Sequence, residues 1–273
     1  MIDRPPNALP PILRDKHLAA ASAFTPESLL REARRQKNLP DIPIPEVCIL
    51  DPDGDIVRCL RDAGRAQPVP GWACYHSEMF GFAQGGHTFG IIGCAVGASY
   101  AVLLAEQMFA SGCRLLISIT SSGQIAAMRA PPYFILIERA LRDEGASYHY
   151  LPPSDYAEAD PDLVAMIAPS LAGAGEPVER GATWTTDAPY RETLDAIAAA
   201  RSAGILAVEM EAAALYAFAQ ARRKAVLCFA HVTNQMGQVG DFEKGEANGA
   251  VASLTLIETV ASAWRRAQPS HGT

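Results

Sequence analysis

Two closely spaced carboxylates stand where an apolar segment gives way to an alanine-rich one. An apolar run ends at Val208, Glu209 and Glu211 follow, and a helical pattern begins at once over residues 212–216. This order predicts a buried strand that delivers two acids to a strand-to-helix turn, where open α/β sheets place their ligand sites. A carboxylate there can accept two hydrogen bonds, for example from the 2′ and 3′ hydroxyls of a ribose. Acids are also common in first helical turns because the helix dipole favours them, so spacing alone leaves both interpretations open.

Residues 208–213, Val-Glu-Met-Glu-Ala-Ala, resemble the signature of the nucleoside phosphorylase superfamily, which includes purine nucleoside phosphorylases, uridine phosphorylases and related nucleosidases. Four other segments resemble elements of the same family in the expected order. They are the Gly-Asp-x-x-Arg phosphate element at 54–58, the segment before the second strand at 79–82, the central phosphate loop at 116–123 and the base-stacking loop at 185–190. One such segment would be weak evidence, but five in order, within residues 45–265, are specific.

The resemblance implies a role for residues in each segment. Glu211 would hold the ribose hydroxyls and Met210 would pack against the sugar, whereas Glu209 would either join this site or anchor the turn. The implied ribose-binding residues are Glu209, Met210 and Glu211, the phosphate-binding residues are Gly54, Arg58, Ser121 and Gly123, and the base-binding residues are Pro189, Tyr190 and Asn234. Trp184 is an alternative platform for the base, although buried aromatic residues more often belong to a core.

The residue that would assist the leaving base departs from part of the family. Asn234 lies 23 residues beyond Glu211, where hexameric purine phosphorylases carry a catalytic aspartic acid. A protonated Asp can give a proton to the base, whereas Asn can only donate a hydrogen bond. Asn therefore suits a base that leaves as a stabilised anion, such as a 6-oxopurine or a pyrimidine. With Glu211 and Arg58, Asn234 completes the implied catalytic set.

The implied phosphate site lacks two expected arginines. Ser118 stands where phosphorylases carry the loop arginine, and Ser77 stands about where the arginine of a neighbouring subunit would lie. At ~1.5–3 kcal/mol per charge-assisted hydrogen bond, these losses would weaken phosphate binding by orders of magnitude. The superfamily's nucleosidases lack the loop arginine and use water, but they also lack the Gly-Asp-x-x-Arg element that this chain retains.

The leading expectation is a pentosyltransferase that uses phosphate to convert a purine or pyrimidine nucleoside to free base and ribose 1-phosphate. Hydrolysis by water on the same fold, and a catalytically silent nucleoside-binding protein, remain alternatives. The resemblance further implies a homo-oligomer, either a dimer or a hexamer. His17 would then be either a ligand for the 5′ hydroxyl in a neighbouring subunit or a solvated residue.

Composition excludes several other classes. The formal charge is −7 and no dense Lys/Arg run occurs, which argues against a nucleic-acid surface. No apolar run approaches the ~20 residues of a membrane span, and the first residues lack the apolar core of a secretory signal. Six cysteines form no Cys-x-x-Cys pair and six histidines show no metal-ligand spacing. We therefore predict a cytoplasmic enzyme with free thiols, no metal, and no cofactor other than phosphate as co-substrate.

Two regions are predicted to support this chemistry. Residues 1–40 form an N-terminal arm and a helix over 26–37, which Thr25 caps and Pro26 begins. Residues 41–273 form the catalytic domain, in which strands and helices alternate from the strand at 47–50 to a closing helix at 247–265. The alternation predicts an α/β fold of three α/β/α layers around a central mixed, mostly parallel sheet. Pro189 and Tyr190 are expected in a loop that follows a strand ending near residue 182.

Overall fold

The computed structural model describes residues 9–236 and 243–268. Ten strands form one sheet: β1 Val47–Asp51, β2 Gln67–Pro68, β3 Phe80–Gln84, β4 His87–Gly93, β5 Leu115–Gln124, β6 Tyr133–Asp143, β7 Tyr156–Glu158, β8 Val178–Thr186, β9 Ile205–Glu209 and β10 Ala225–Gln235. The α-helices are α1 Pro26–Lys37, α2 Asp55–Asp62, α3 Ala98–Ala110, α4 Pro161–Ile167, α5 Leu194–Ser202, α6 Ala212–Arg222 and α7 Ala250–Ala267. None of the helices in these described ranges is long and apolar enough to cross a membrane.

The strand order of the sheet is β10-β6-β8-β9-β5-β1-β4-β3-β2, and β7 pairs with β6. The predicted α/β fold with a central mixed sheet is confirmed. Two features go beyond the prediction. Strand β10 also pairs with β5, so that β5, β10, β6, β8 and β9 close into a ring of five strands. Five of the ten strand pairs are antiparallel, so the sheet is evenly mixed rather than mostly parallel.

Irregularities in the long strands accompany the ring closure. The register shifts between Val232 and Asn234 in β10, between Ile137 and Arg139 in β6, and between Ile205 and Ala207 in β9, opposite Ala182 and Thr183 of β8. Such bulges bend a strand and increase its twist, which lets a sheet curl far enough for its edges to meet. The ring brings the ends of β5, β8, β9 and β10 to one place.

The core lies on both faces of the sheet. All residues of β1 are buried, as expected for a parallel strand that helices cover on both sides. Residues 212–218 of α6 are also all buried, which explains why this helix is apolar all round rather than amphipathic. The Tyr216 hydroxyl donates to the carbonyl of Ile137 at 2.5 Å and accepts from the amide of Cys228 at 3.0 Å. It thereby links α6 to β6 and β10.

The N-terminal helix α1 has the predicted bounds. Thr25 Oγ1 accepts a hydrogen bond from the amide of Ser28 at 3.3 Å, and Asn38 ends the helix in the left-handed conformation. Its buried residues, Leu30 and Ala33, pack in a small cluster separate from the main core. The division of the chain at residue 40 stays a prediction.

Candidate active site

The two carboxylates lie at the end of β9, one of the five strands of the ring. Gly123 of β5 pairs with Val208 of β9 on one side and with Asn234 of β10 on the other. The structure therefore brings the Glu209–Glu211 turn, the central loop and Asn234 to adjacent strand ends. A Cβ atom at position 123 would lie 2.1 Å from Met236 Sδ, so a side chain here would have to displace that methionine.

Glu209 is buried and its hydrogen bonds are all made within the protein. Oε1 accepts from the hydroxyls of Thr183 and Thr185, at 3.1 and 2.5 Å. Oε2 accepts from the amides of Glu211 and Ala212, both at 2.7 Å. This geometry favours the anchoring interpretation of Glu209, because four donors use the capacity that a ribose hydroxyl would need.

Glu211 is buried to the same degree but keeps an unused oxygen. Oε1 accepts from the amide of Gly97 at 2.7 Å. Within residues 9–236 and 243–268, no group donates to Oε2, although this atom is buried. Burial, and second the nearby charge of Glu209, raise the pKa of Glu211 to about 8. A buried carboxylate oxygen without a donor is costly, so it marks a position at which a ligand can bind.

Gly97, which sequence reasoning did not assign to the site, positions Glu211. It lies between β4 and α3 with φ +95° and ψ 145°, a conformation open in practice only to glycine. A glycine between an apolar strand and a helix is the signal that could have identified it. Its neighbour Cys94 is exposed and also has positive φ, at +59°.

The predicted phosphate element forms the turn between β1 and α2. Gly54 begins α2 with φ +75°, and a Cβ atom there would lie 2.7 Å from Cys94 Sγ. Arg58 is already engaged: its Nη2 donates to Asp55 Oδ1 at 2.5 Å and to the carbonyl of Asp53 at 2.9 Å. The Arg58 side chain is 56% exposed, so the guanidinium lies at the rim rather than inside a closed site.

The hydroxyl and amide of Ser121, predicted to bind phosphate, both bind an aspartate instead. Ser121 N donates to Asp53 Oδ2 and Ser121 Oγ donates to Asp53 Oδ1, each at 2.8 Å. Lys244 Nζ binds Asp55 Oδ2 at 2.7 Å and lies 3.9 Å from Asp53 Oδ1. A cavity of about 590 Å³ opens here and is lined by Asp53, Asp55, Ser121, Glu243, Lys244, Gly245 and Asn248. Carboxylates outnumber cations in this lining.

Two buried titratable groups lie behind this cavity, and sequence reasoning missed both. Asp51 accepts from the amides of Gly54 and Val57, and burial, with the charges of Asp53 and Asp55, raises its pKa to about 7. His231 of β10 pairs in register with Ser121 and stacks on Phe134 at 4.7 Å. Burial, and second the charge of Lys244, lower the pKa of His231 to about 4, so this imidazole is neutral near pH 7.

The residues predicted to bind the base are less well assembled. Asn234 is half-buried, and its Oδ1 accepts from the Thr233 hydroxyl at 3.3 Å. Tyr190, in a 3₁₀ turn over Pro189–Arg191, is 98% exposed in this single chain. Trp184 is a core residue whose Nε1 donates to Asp143 at 2.9 Å. The expected loop before Pro189 is shorter than predicted, because β8 continues to Thr186.

Ser77 and Ser118 stand where arginines were expected, and Arg129, Arg139, His17 and His76 are other side chains that could donate to a ligand. Ser77 Oγ accepts from Trp72 Nε1 at 3.2 Å, and Ser118 Oγ is buried with no partner among the described residues. Arg129 pairs with Glu179, and Arg139 lies over the ring of Tyr156. His17 and His76 are exposed. The part of the chain that the structure describes holds no group of three or more His, Cys, Asp or Glu arranged for a metal ion.

Comparison with known proteins identifies the family of this chain and supports its fold. The family model of the phosphorylase superfamily matches residues 51–262. Two solved structures of uridine phosphorylase from Vibrio fischeri ES114, one complexed with 6-hydroxy-1-naphthoic acid, are similar with TM-scores of 0.67 and 0.66 at 20% sequence identity. The similarity covers 81% of this chain and 92–93% of those chains. No curated protein sequence matches this one.

Proposed function

Because this chain belongs to the phosphorylase superfamily, we propose that it is an enzyme that cleaves the N-glycosidic bond of a purine or pyrimidine nucleoside. The observation that carries the proposal is Glu211, whose Oε2 is buried at the end of β9 without a donor from the described residues. A ribose hydroxyl is a donor of the right size and polarity for this atom. The residues of the turn would supply the sugar site, and no cofactor is needed.

Cleavage of an N-glycosidic bond passes through a sugar with oxocarbenium character, so the enzyme must hold the ribose while C1′ gains positive charge. Burial raises the pKa of Glu211 to about 8, and ribose hydroxyls that donate to Oε2 would favour the ionised form, so the bound sugar would have a carboxylate near C1′. Met210 would pack against the sugar. Glu209 supports this role indirectly, since its bonds to the amides of Glu211 and Ala212 fix the turn before substrate arrives.

Stabilisation of the leaving base would fall to Asn234. Its position beside Gly123 at the strand ends supports this role, and its amide is a hydrogen-bond donor at any ordinary pH. Bases that leave as stabilised anions, 6-oxopurines and pyrimidines, therefore fit best. Pro189 and the exposed Tyr190 would contribute to the base site when a second subunit covers them, which is consistent with the homo-oligomer that we also propose.

Two nucleophiles fit the fold, and the contacts favour water. Gly54, Arg58, Ser121 and Gly123 are the residues that would hold phosphate for phosphorolysis. However, both Ser121 donors bind Asp53 and Arg58 binds Asp55, so a phosphate dianion would have to displace one carboxylate and approach two more. Hydrolysis meets no such conflict. The water oxygen bonds to C1′ as the C1′–N bond breaks, the electron pair leaves with the base, and the proton lost by water balances the one that the base takes up.

The test is base release from a panel of nucleosides, followed by absorbance, with wild type, Glu211→Gln and the matched control Glu158→Gln at an exposed position. We expect release by wild type and by the control, and strongly reduced release by Glu211→Gln. Tight nucleoside binding without any release would instead support a catalytically silent binding protein. Equal release by all three proteins would remove Glu211 from the mechanism.

A further inference from the structure

Asp53 occupies the position at which an anion would bind between β1 and β5. Its two carboxylate oxygens each accept one hydrogen bond from Ser121, one from the amide and one from the hydroxyl, at 2.8 Å. Lys244 Nζ lies 3.9 Å from Oδ1. A main-chain N–H, a hydroxyl and a nearby cation are the set of donors with which proteins hold a phosphate group. The Asp53 carboxylate therefore satisfies the donors that would otherwise be available to phosphate.

The turn that carries Asp53 is held in place from several sides. The carbonyl of Asp53 accepts a hydrogen bond from Arg58 Nη2 at 2.9 Å. The amide of the next residue, Gly54, donates to Asp51 Oδ1 at 3.1 Å. Gly54, the residue after Asp53, caps α2, and its positive φ turns the chain into the helix that starts at Asp55. A carboxylate on such a fixed turn is present at a high effective concentration next to Ser121, and dissolved phosphate must compete with it.

The charge around Ser121 adds to this competition. Hydrogen bonds from Lys244 and Arg58 hold the pKa of Asp55 below its ordinary value, although burial alone would raise it, so this second carboxylate is ionised at neutral pH. Lys244 and Arg58 are thus already neutralised by the chain. A phosphate dianion that entered beside Ser121 would find no uncompensated cation among these residues.

We propose that Asp53 determines which nucleophile the enzyme uses. Its carboxylate occupies the amide and hydroxyl of Ser121, the donors that we call the anion cradle, and thereby prevents phosphate from binding there. Water then remains as the nucleophile at the sugar. This inference rests on the proposed N-glycosidic cleavage for its catalytic meaning. Its physical content, the exclusion of an anion by an internal carboxylate, does not require a nucleoside. Removal of the carboxylate should therefore create a phosphate site.

The experiment is a calorimetric titration of inorganic phosphate into wild type, Asp53→Ala and the control Asp62→Ala. Asp62 is an exposed residue of α2, and its replacement changes the net charge by the same amount without touching Ser121. We expect phosphate to bind Asp53→Ala roughly tenfold to a hundredfold more tightly than wild type, the scale set by charge-assisted hydrogen bonds. Asp62→Ala should behave as wild type.

Two further variants make the result specific. Adding Ser121→Ala to Asp53→Ala should abolish the gained affinity, because it removes the hydroxyl of the cradle. Asp53→Asn keeps the shape of the turn and removes the charge, so it should show a smaller gain. If thermal unfolding shows that Asp53→Ala is not folded, the phosphate affinity of Asp53→Asn is compared with that of wild type instead.

Phosphate that binds wild type as tightly as either Asp53 variant would overturn the inference, as would a gain that survives Ser121→Ala. The phosphate titration can be interpreted whether or not the proposed function is correct. If no nucleoside is cleaved, the titration still shows whether Asp53 excludes phosphate. If nucleosides are cleaved, Asp53→Ala should in addition form ribose 1-phosphate in phosphate buffer, through a bond from a phosphate oxygen to C1′ as the base leaves with the electron pair and takes up a proton.

Discussion

At the end of β9, Glu209 is saturated by the protein while Glu211 keeps one buried oxygen free of any described donor. At the end of β1 the situation is reversed, since Ser121 and Arg58, the predicted donors, are bound to Asp53 and Asp55 of the same turn. Both regions carry residues that resemble the same family. The resemblance identifies the positions, but the hydrogen-bonding capacity that each residue retains indicates what it can still bind.

In both regions, the residues that hold a turn in shape differ from the residues that could contact a ligand. Glu209 and Asp51 use their oxygens on backbone amides, and both hold a turn in shape. Glu211 and Ser121 lie next to these turns; Glu211 has a buried oxygen without a described donor, and Ser121 lines the cavity beside Asp53. At the end of β9, which we call the sugar end, Glu209 holds the turn and Glu211 Oε2 has no described donor. At the end of β1, which we call the anion end, Asp51 holds the turn and the two Ser121 donors are bound to Asp53. Three substitutions, Glu209→Ala, Glu211→Gln and Arg58→Ala, test this difference, and the one with the greatest predicted effect comes first.

Glu209→Ala should have the largest effect, and it should act on stability. It leaves two threonine hydroxyls and two amides without their acceptor in a buried place, and at ~1–3 kcal/mol for each of these unsatisfied groups the free energy of unfolding should fall by at least about 4 kcal/mol. Urea unfolding measures this change, with Thr183→Val, which removes one donor only, as a milder control. A loss below about 1 kcal/mol would mean that Glu209 does not anchor the turn.

Glu211→Gln should lower activity with little loss of stability. The amide oxygen still accepts from Gly97, but the charge is lost, and kcat/KM for a cleaved nucleoside should fall roughly 10- to 100-fold, the equivalent of ~1.5–3 kcal/mol. Steady-state base release measures the ratio against Glu158→Gln. A variant that loses stability but keeps its kcat/KM would show that Glu211, like Glu209, only supports the turn.

The pH dependence of stability should differ between wild type and Glu211→Gln. Because the pKa of Glu211 is raised from 4.5 to about 8, the folded chain keeps a proton that the unfolded chain releases over that range. The free energy of unfolding of wild type should therefore fall as pH rises, by at most about 1.4 kcal/mol per unit from this group. The contributions of Asp51 and His231 are the same in both proteins and cancel, whereas burial also raises the pKa of Glu209, whose charge acts on Glu211, so the difference reports the two glutamates together.

Urea unfolding at several pH values gives the difference between the two proteins directly. The stability of Glu211→Gln relative to wild type should increase steadily from the acid to the alkaline end of that range. A constant difference would mean that Glu211 is not the buried acid that titrates.

Arg58→Ala should have the smallest effect. The Arg58–Asp55 pair is more than half exposed on the arginine side, and such pairs contribute less than about 1 kcal/mol to stability. If water is the nucleophile, base release without phosphate should change less than about threefold, as for Arg61→Ala on the same helix. A loss comparable with that of Glu211→Gln would restore Arg58 to the catalytic set that the sequence implied.

The local features of the fold could be predicted from the sequence because their causes are local. Thr25 and Pro26 mark the start of α1, and the apolar run before Glu209 marks β9. The pairing of β10 with β5 that closes the ring could not be predicted, because the apolar pattern of a strand does not show which other strand it will pair with. Thr185 was placed in a base-binding loop, yet it lies in β8 and binds Glu209, a contact between residues 24 positions apart.

The anion end was missed for a similar reason. The Asp53–Ser121 contact spans 68 positions, and the Lys244–Asp55 contact spans 189, so neither leaves a local pattern. One signal was present: three aspartates, at 51, 53 and 55, surround the glycine of an element expected to bind an anion. So many acids next to a phosphate site conflict electrostatically with that role, and this conflict indicates a different use of the turn.

Glu211 is expected to bind the sugar, while Asp53 is expected to keep phosphate from Ser121. The sugar product that wild type forms from a cleaved nucleoside in phosphate buffer, separated by chromatography, distinguishes water from phosphate as the nucleophile. Free ribose, formed at a rate independent of phosphate concentration, is the result that the account predicts. Ribose 1-phosphate, formed at a rate that rises with phosphate, would contradict it and show that phosphate displaces Asp53 from Ser121.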